Sequence, residues 1–211
     1  MGTTLIVTLI VIAINVLVIG FVWIMHSGEL ADYRAVLEAL PTFLSGELAR
    51  GGLLSYPSFR GSYKDCPLTI TPYSTSRYNT GPDMVGICLE SPALRAALRV
   101  VRKDSLRSGV ALGLWPFGTF TAGDPDIDKL VRLSSSDEEL ARAWLSAPEV
   151  KEQLRRLFSL PDDGFLLLEL KPGSPGRARL VMPRHSMPGG ISRERLLPAL
   201  QALYALIHAG S

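Results

Sequence analysis

The sequence predicts an α+β fold in which an N-terminal single transmembrane helix precedes a largely antiparallel sheet with packed helices. Three observations carry this expectation. The first 28 residues contain no Asp, Glu, Lys or Arg. Beyond them, short alternating runs separated by Gly, Pro and Ser clusters read as strands. Later segments repeat apolar residues at three- and four-residue steps behind capping signals.

The N-terminal run comes first. Leu5 to Met25 is apolar except for Thr8, Asn15 and Gly20. As a helix rising about 1.5 Å per residue it reaches about 31 Å, close to the roughly 30 Å hydrocarbon core of a bilayer. A helix satisfies its own backbone hydrogen bonds in lipid, and Trp23 stands where an aromatic ring prefers the headgroup level. Leu5, Asn15, Gly20 and Trp23 are the expected membrane contacts. A cleaved signal peptide needs a basic start, a shorter apolar core and small residues at the cleavage site. This N-terminus has no basic side chain, and Trp23-Ile24-Met25-His26 is bulky. The expectation is therefore a retained anchor in the cell membrane. Counting Arg34 and Arg50 beside the span favours a cytoplasmic rather than periplasmic domain. Asn15 either hydrogen-bonds across to another helix or is tolerated alone.

The organisation expected is an anchor over 1–28, a juxtamembrane helical segment over 29–54 and an α+β domain over 55–211. Leu30, Tyr33, Val36, Leu37 and Leu40 form one apolar stripe, on a stalk or packed onto the domain, and Pro41 ends or kinks it. Ser45 to Gly52 reads as a short helical turn. Strands are expected at Ser62–Thr71, Met84–Leu89, Leu98–Arg102 and Lys129–Ser134. The first two flank a loop and suggest an antiparallel pair. Ser135 or Ser136, each three residues before a Glu, opens a helix with Leu140, Trp144 and Leu145 on its buried side. Ser146 and Pro148 open the next, which buries Val150, Leu154, Leu157 and Phe158. Phe165–Leu170 and Arg177–Met182 form a hairpin around Gly173-Ser174-Pro175-Gly176. Ser192 caps a last helix with Leu196, Leu200, Leu203 and Ile207 inward, beginning or bending at Pro198.

The charge is +2 and lacks the basic excess of an obligate nucleic-acid binder. Cys66 and Cys88 fall on separate strands, to pair in an oxidising compartment or stay as thiols in a reducing one. Asp124-Pro125-Asp126-Ile127-Asp128 alternates carboxylates, but an EF-hand needs glycine and glutamate where Lys129 and Ser135 stand. A turn fixed by Pro125, with Asp side chains bonding backbone N–H groups, fits better. His26, His185 and His208 have no partner at ligand spacing. No nucleophile elbow, phosphate loop or dinucleotide fingerprint is present. No catalytic, cofactor-binding or metal residue is assigned, and no cofactor is expected. Lys171, Arg177, Arg179, Arg184, Arg193 and Arg195 face a single acid, Glu194, within their stretch. They are the candidate contacts for anionic lipid or an acidic partner, if they do not simply alternate out into water.

From Gly123-Asp124-Pro125-Asp126-Ile127-Asp128-Lys129 onward the chain resembles a bacterial, membrane-anchored domain family of unknown function, sometimes found alongside LemA-type membrane proteins. Asp137-Glu138 with Leu140, then Leu145-Ser146-Ala147-Pro148-Glu149-Val150, are similar to its helix starts. Gly61-Ser62-Tyr63-Lys64 resembles its first strand. The resemblance spans roughly 55–205. It departs at Ile127 and Leu130, where the family tends to phenylalanine, and at an extra Ser-Ala step before Pro148. It implies a fold and a membrane context and no activity.

The functional expectation is a membrane-tethered, non-enzymatic protein-interaction module, with the lipid bilayer and a protein in or near the membrane as partners and no nucleic acid. One alternative is an accessory single-pass subunit of a larger membrane complex, for example transport, respiratory or photosynthetic. The other is an enzyme with a dispersed site.

Overall fold

The apolar N-terminal run folds as the start of helix α1, Gly2–Glu38, in a computed structural model of the chain. The structure describes residues 2–49, 51, 55–73, 84–91, 96–103, 116–159, 164–173, 175–183 and 191–209. Among them no helix is long and apolar enough to cross a membrane. This corrects the transmembrane helix expected over 1–28, and with it the single-pass, signal-anchored membrane protein that the helix implied. The run does not stand apart as a separate span. It continues unbroken into a half whose Tyr33, Val36 and Leu37 are buried in the core, so the helix is an element of the domain. Tyr33 Oη donates to Met84 O at 3.2 Å and its ring meets Tyr56 edge-on, 5.3 Å between centroids. The stripe read as a stalk or a packing face is a packing face.

α1 stops at Glu38, and Pro41 lies in the short 3-10 turn Leu40–Thr42 that follows. The helical turn expected at Ser45–Gly52 is instead strand β1, Gly46–Ala49. Pairing with β2, Ser58–Tyr63, overrides the local preference. The two backbones approach so closely at Gly46 and Gly61 that a Cβ on Gly61 would run into Ser45 O and one on Gly46 into Arg60 O.

The remaining strands are β3 Cys66–Tyr73, β4 Met84–Ser91, β5 Leu98–Arg102, β6 Thr119–Phe120, β7 Val131–Ser135, β8 Leu167–Lys171 and β9 Gly176–Pro183. They make a nine-stranded sheet in the order β1-β2-β3-β4-β9-β8-β5-β7-β6. Every pairing among the described residues is antiparallel. The run read as one strand over Ser62–Thr71 is divided by a tight turn, where Lys64 takes φ 52°. The expected β3–β4 pair and the β8–β9 hairpin both form. One face of the sheet presents Phe59, Ile70, Ile87, Leu180, Leu168, Val100 and Leu133, joined across the strands by the ladder register. All are buried in one core with the apolar sides of the helices.

Those helices are α2 Pro125–Leu130, α3 Glu138–Ser146, α4 Pro148–Phe158 and α5 Arg193–His208. Capping differs from expectation in three places. Asp137, not Ser135 or Ser136, caps α3, its carboxylate accepting from Leu140 N at 3.0 Å. Ala147, not Ser146, precedes α4, where Pro148 takes the first helical position. Ser192 precedes α5 without a side-chain capping bond, and Pro198 lies inside a helix that begins at Arg193. The apolar stripes of α4 and α5 are buried as expected, as is Leu145 of α3. Leu140 is exposed, and Trp144 is half-buried with its indole N–H on Leu206 O at 3.2 Å.

Candidate interaction surfaces

Two regions gather chemistry that the fold alone does not use up. The first is the apolar half of α1. Ile6, Val7, Ile10, Val11, Ile12, Ile14, Val16, Leu17, Val18, Ile19, Phe21, Trp23 and Ile24 are all more than half exposed, Leu17 reaching 72%. Apolar side chains are exposed all round the helix because the run is apolar except at Thr8, Asn15 and Gly20. A helix of that kind ordinarily lies inside something. Asn15 Nδ2 donates to Val11 O at 2.7 Å, one turn back in its own helix, and a Cβ on Gly20 would meet nothing within 4 Å. Nothing is described of the Leu5 side chain.

The second region is the opposite face of the sheet. Strand register sets Arg99, Glu169, Arg179 and Cys88 in one cross-strand row. Glu169 is buried, at 1% exposure. Arg99 Nη2 donates to Glu169 Oε1 in a short contact, Arg179 Nη1 lies 3.4 Å from Oε2, and Lys171 Nζ lies 3.8 Å from it. A buried carboxylate needs such partners, because desolvating it alone costs far more than any packing gain. The Arg179 guanidinium also lies over the Tyr73 ring, 5.2 Å from its centroid. Burial pushes the Tyr73 hydroxyl up and Glu169 adds to that, while Arg179 and Arg99 oppose it. Burial likewise pushes the Cys88 thiol up, against Arg179 and Arg177. Beside this row, Met84, Val101, Leu167 and Val181 form a small apolar cluster.

The basic stretch therefore divides. Arg179 and Lys171 serve Glu169, and Arg177 lies 3.8 Å from Glu90. Arg193 is exposed on the first turn of α5 and Arg195 is half-buried. Arg184 and His185 lie outside the described residues. Glu169, Arg99 and Tyr73 were not singled out from sequence. The signal was available in Leu166-Leu167-Leu168-Glu169-Leu170, where one acid interrupts a run of leucines that reads as a strand buried on both faces.

The other polar features are structural. Asp124 caps α2, its Oδ1 accepting from Asp126 N at 3.1 Å and Ile127 N at 3.3 Å, and its Oδ2 meets Arg155 at 3.0 Å and Lys151 at 3.2 Å. Asp128 Oδ1 accepts from Ala122 N at 2.7 Å. The alternating aspartates thus bond backbone N–H groups as expected, around a short helix rather than a bare turn. Among the described residues no group of His, Cys, Asp and Glu is placed to hold a metal ion. Cys66 and Cys88 are free thiols. Cys88 pairs with Thr69, whose side chain is on the opposite face from Cys66, so the two sulfurs point away from each other. His208 stacks on Tyr204 at 4.0 Å, and Lys64 Nζ lies over the same ring at 4.1 Å.

Fold and surfaces together define a class: an antiparallel α+β domain with one sheet face under helices, a charged row on the other, and a long helix whose apolar end projects. No family model and no curated protein matches the chain. Among solved structures it is similar to the crystal structure of the mycobacterial trehalose monomycolate transport factor A, TtfA. The two share a TM-score of 0.56 at 10% identity, over 84% of this chain and 93% of that one. The likeness is one of fold.

Proposed function

We propose that this chain is a non-enzymatic protein-interaction module whose partner covers the apolar half of α1. The observation that carries the reading is the exposure of large apolar side chains around that whole half, with Leu17 at 72% and Ile19 at 67%. Soluble monomers rarely leave contiguous apolar patches beyond a few hundred Å², and larger ones mark contact sites. The core-seated half of the same helix holds the projecting half in fixed relation to the domain, so binding there positions the domain against its partner.

The test is a photo-crosslinking residue at Leu17 in the full chain, used in cells. Crosslinks to protein are expected, and they should fall several-fold when Ile10, Ile14 and Ile24 are changed together to Ser. Crosslinks to lipid alone, or none at all, would overturn the reading.

A second reading is an accessory subunit of a larger assembly. The fold shared with a transport factor favours it. Trehalose monomycolate stands in that protein's name alone. This reading predicts that the crosslinked partner is one component of a stable multi-protein complex.

A further inference from the structure

We propose that the partner along one face of α1 is a second copy of this chain, paired parallel and in register through Thr8, Val11, Asn15 and Val18. The inference rests on the reading of the apolar half as an interaction surface, and it names one occupant.

Between Ile6 and Ile24 the polar side chains, apart from the Trp23 indole, are Thr8 and Asn15, seven residues apart. Seven residues are two helical turns, so the two share a face. Val11 and Val18 complete that face at steps of three, four and three, the spacing of a coiled-coil seam. All four are exposed, Val11 at 52% and Val18 at 55%. The seam is also narrow: its side chains are smaller than Leu17, Phe21 and Trp23 elsewhere on the helix, so two backbones can approach along it.

Asn15 supplies the choice of partner. One N–H of its amide is engaged by Val11 O. An amide carries a second N–H and an acceptor oxygen. In a parallel, in-register pair these meet their own equivalents across a two-fold axis, since such an interface is self-complementary. A slip of one turn would set the amide against valine, leaving a polar group without a partner in an apolar seam. A single asparagine in a seam fixes register in this way. Thr8 selects the direction. Parallel pairing brings Thr8 to Thr8 while it brings Asn15 to Asn15. Antiparallel pairing centred on Asn15 sets Thr8 against position 22, a valine.

The experiment uses the full chain in mild detergent. Val11→Cys and, separately, Leu17→Cys are oxidised with diamide, the unsubstituted chain giving the background from Cys66 and Cys88. A disulfide-linked dimer is expected from Val11→Cys at several times the yield from Leu17→Cys, because position 11 meets position 11 only in the parallel pair. Adding Asn15→Leu to Val11→Cys should cut the yield several-fold and broaden the mass distribution in sedimentation velocity. Equal yields from the two cysteines, a monomeric parent chain, or a Val11→Cys yield that Asn15→Leu leaves unchanged would each overturn the inference. A monomeric chain that still crosslinks a foreign protein through Leu17 loses this inference and keeps the wider reading. A dimer that captures no foreign protein keeps both, with the second copy as the partner.

Discussion

The two faces of the sheet are built from the same strands by opposite means. On one, Phe59, Ile70, Ile87, Leu180 and Leu168 meet the helices in a single apolar core. On the other, Glu169 is buried to the same degree but is held by Arg99, Arg179 and Lys171. Stability and specificity therefore reside in different places. An apolar face tolerates exchange of one hydrophobe for another of similar volume. A buried charge tolerates no loss of a partner, because the remainder is left desolvated and uncompensated.

Glu169→Ala should have the largest effect. It leaves the buried Arg99 guanidinium without its carboxylate, and destabilisation of about 3–5 kcal/mol is expected in urea unfolding. A loss under about 1 kcal/mol would mean that the row behaves like a solvated surface. The double change Glu169→Met with Arg99→Leu sharpens the point. Removing both charges for apolar volume should recover most of the loss, since a buried pair adds little net stability over a packed replacement. On the apolar face, Leu168→Ala should cost about 2–5 kcal/mol by the transfer and cavity terms together. No second substitution at a polar partner should rescue it.

The two faces also differ in how far sequence exposes them. The alternation of Cys66, Leu68 and Ile70, and the stripes Val150-Leu154-Leu157-Phe158 and Leu196-Leu200-Leu203-Ile207, are periodic, and periodicity survives in sequence. Glu169 is not periodic information. Its partners come from β5 and β9, 70 and 10 residues away, and only the ladder register brings them together. β1 departs from expectation for a related reason, since a four-residue strand that begins at Gly46 carries no helix or strand preference that outweighs pairing with β2. The expected span rests on composition alone, whereas among the described residues no helix is long and apolar enough to cross a membrane, and α1 continues unbroken until Tyr33, Val36 and Leu37 reach the core. The aspartate string is legible in part: the bonds from its side chains to backbone N–H groups are local and expected, while the short helix that Asp124 caps stands where a turn is expected.

That locality makes Asp124 the contrasting carboxylate to Glu169, and its substitution should have the smallest effect. Burial raises the Asp124 carboxyl, but the Ile127 N–H, Lys151, the Asp126 N–H and Arg155 together outweigh it and hold the group below its ordinary value of 3.8. A carboxyl depressed in the folded chain binds its proton more weakly there than in the unfolded chain. Its stabilising contribution is therefore complete above pH 3.8, and it is lost as pH falls through the lower folded value. Asp124→Asn keeps the capping oxygen but not the charge, so it should lower the unfolding midpoint slightly at pH 7 and flatten the acid limb of the stability curve below pH 3.8. Midpoints measured by circular dichroism from pH 7 downward would converge for the two chains at the acid end. Curves that stay parallel throughout would mean that the carboxylate's charge contributes nothing, and that Asp124 acts only as a hydrogen-bond cap.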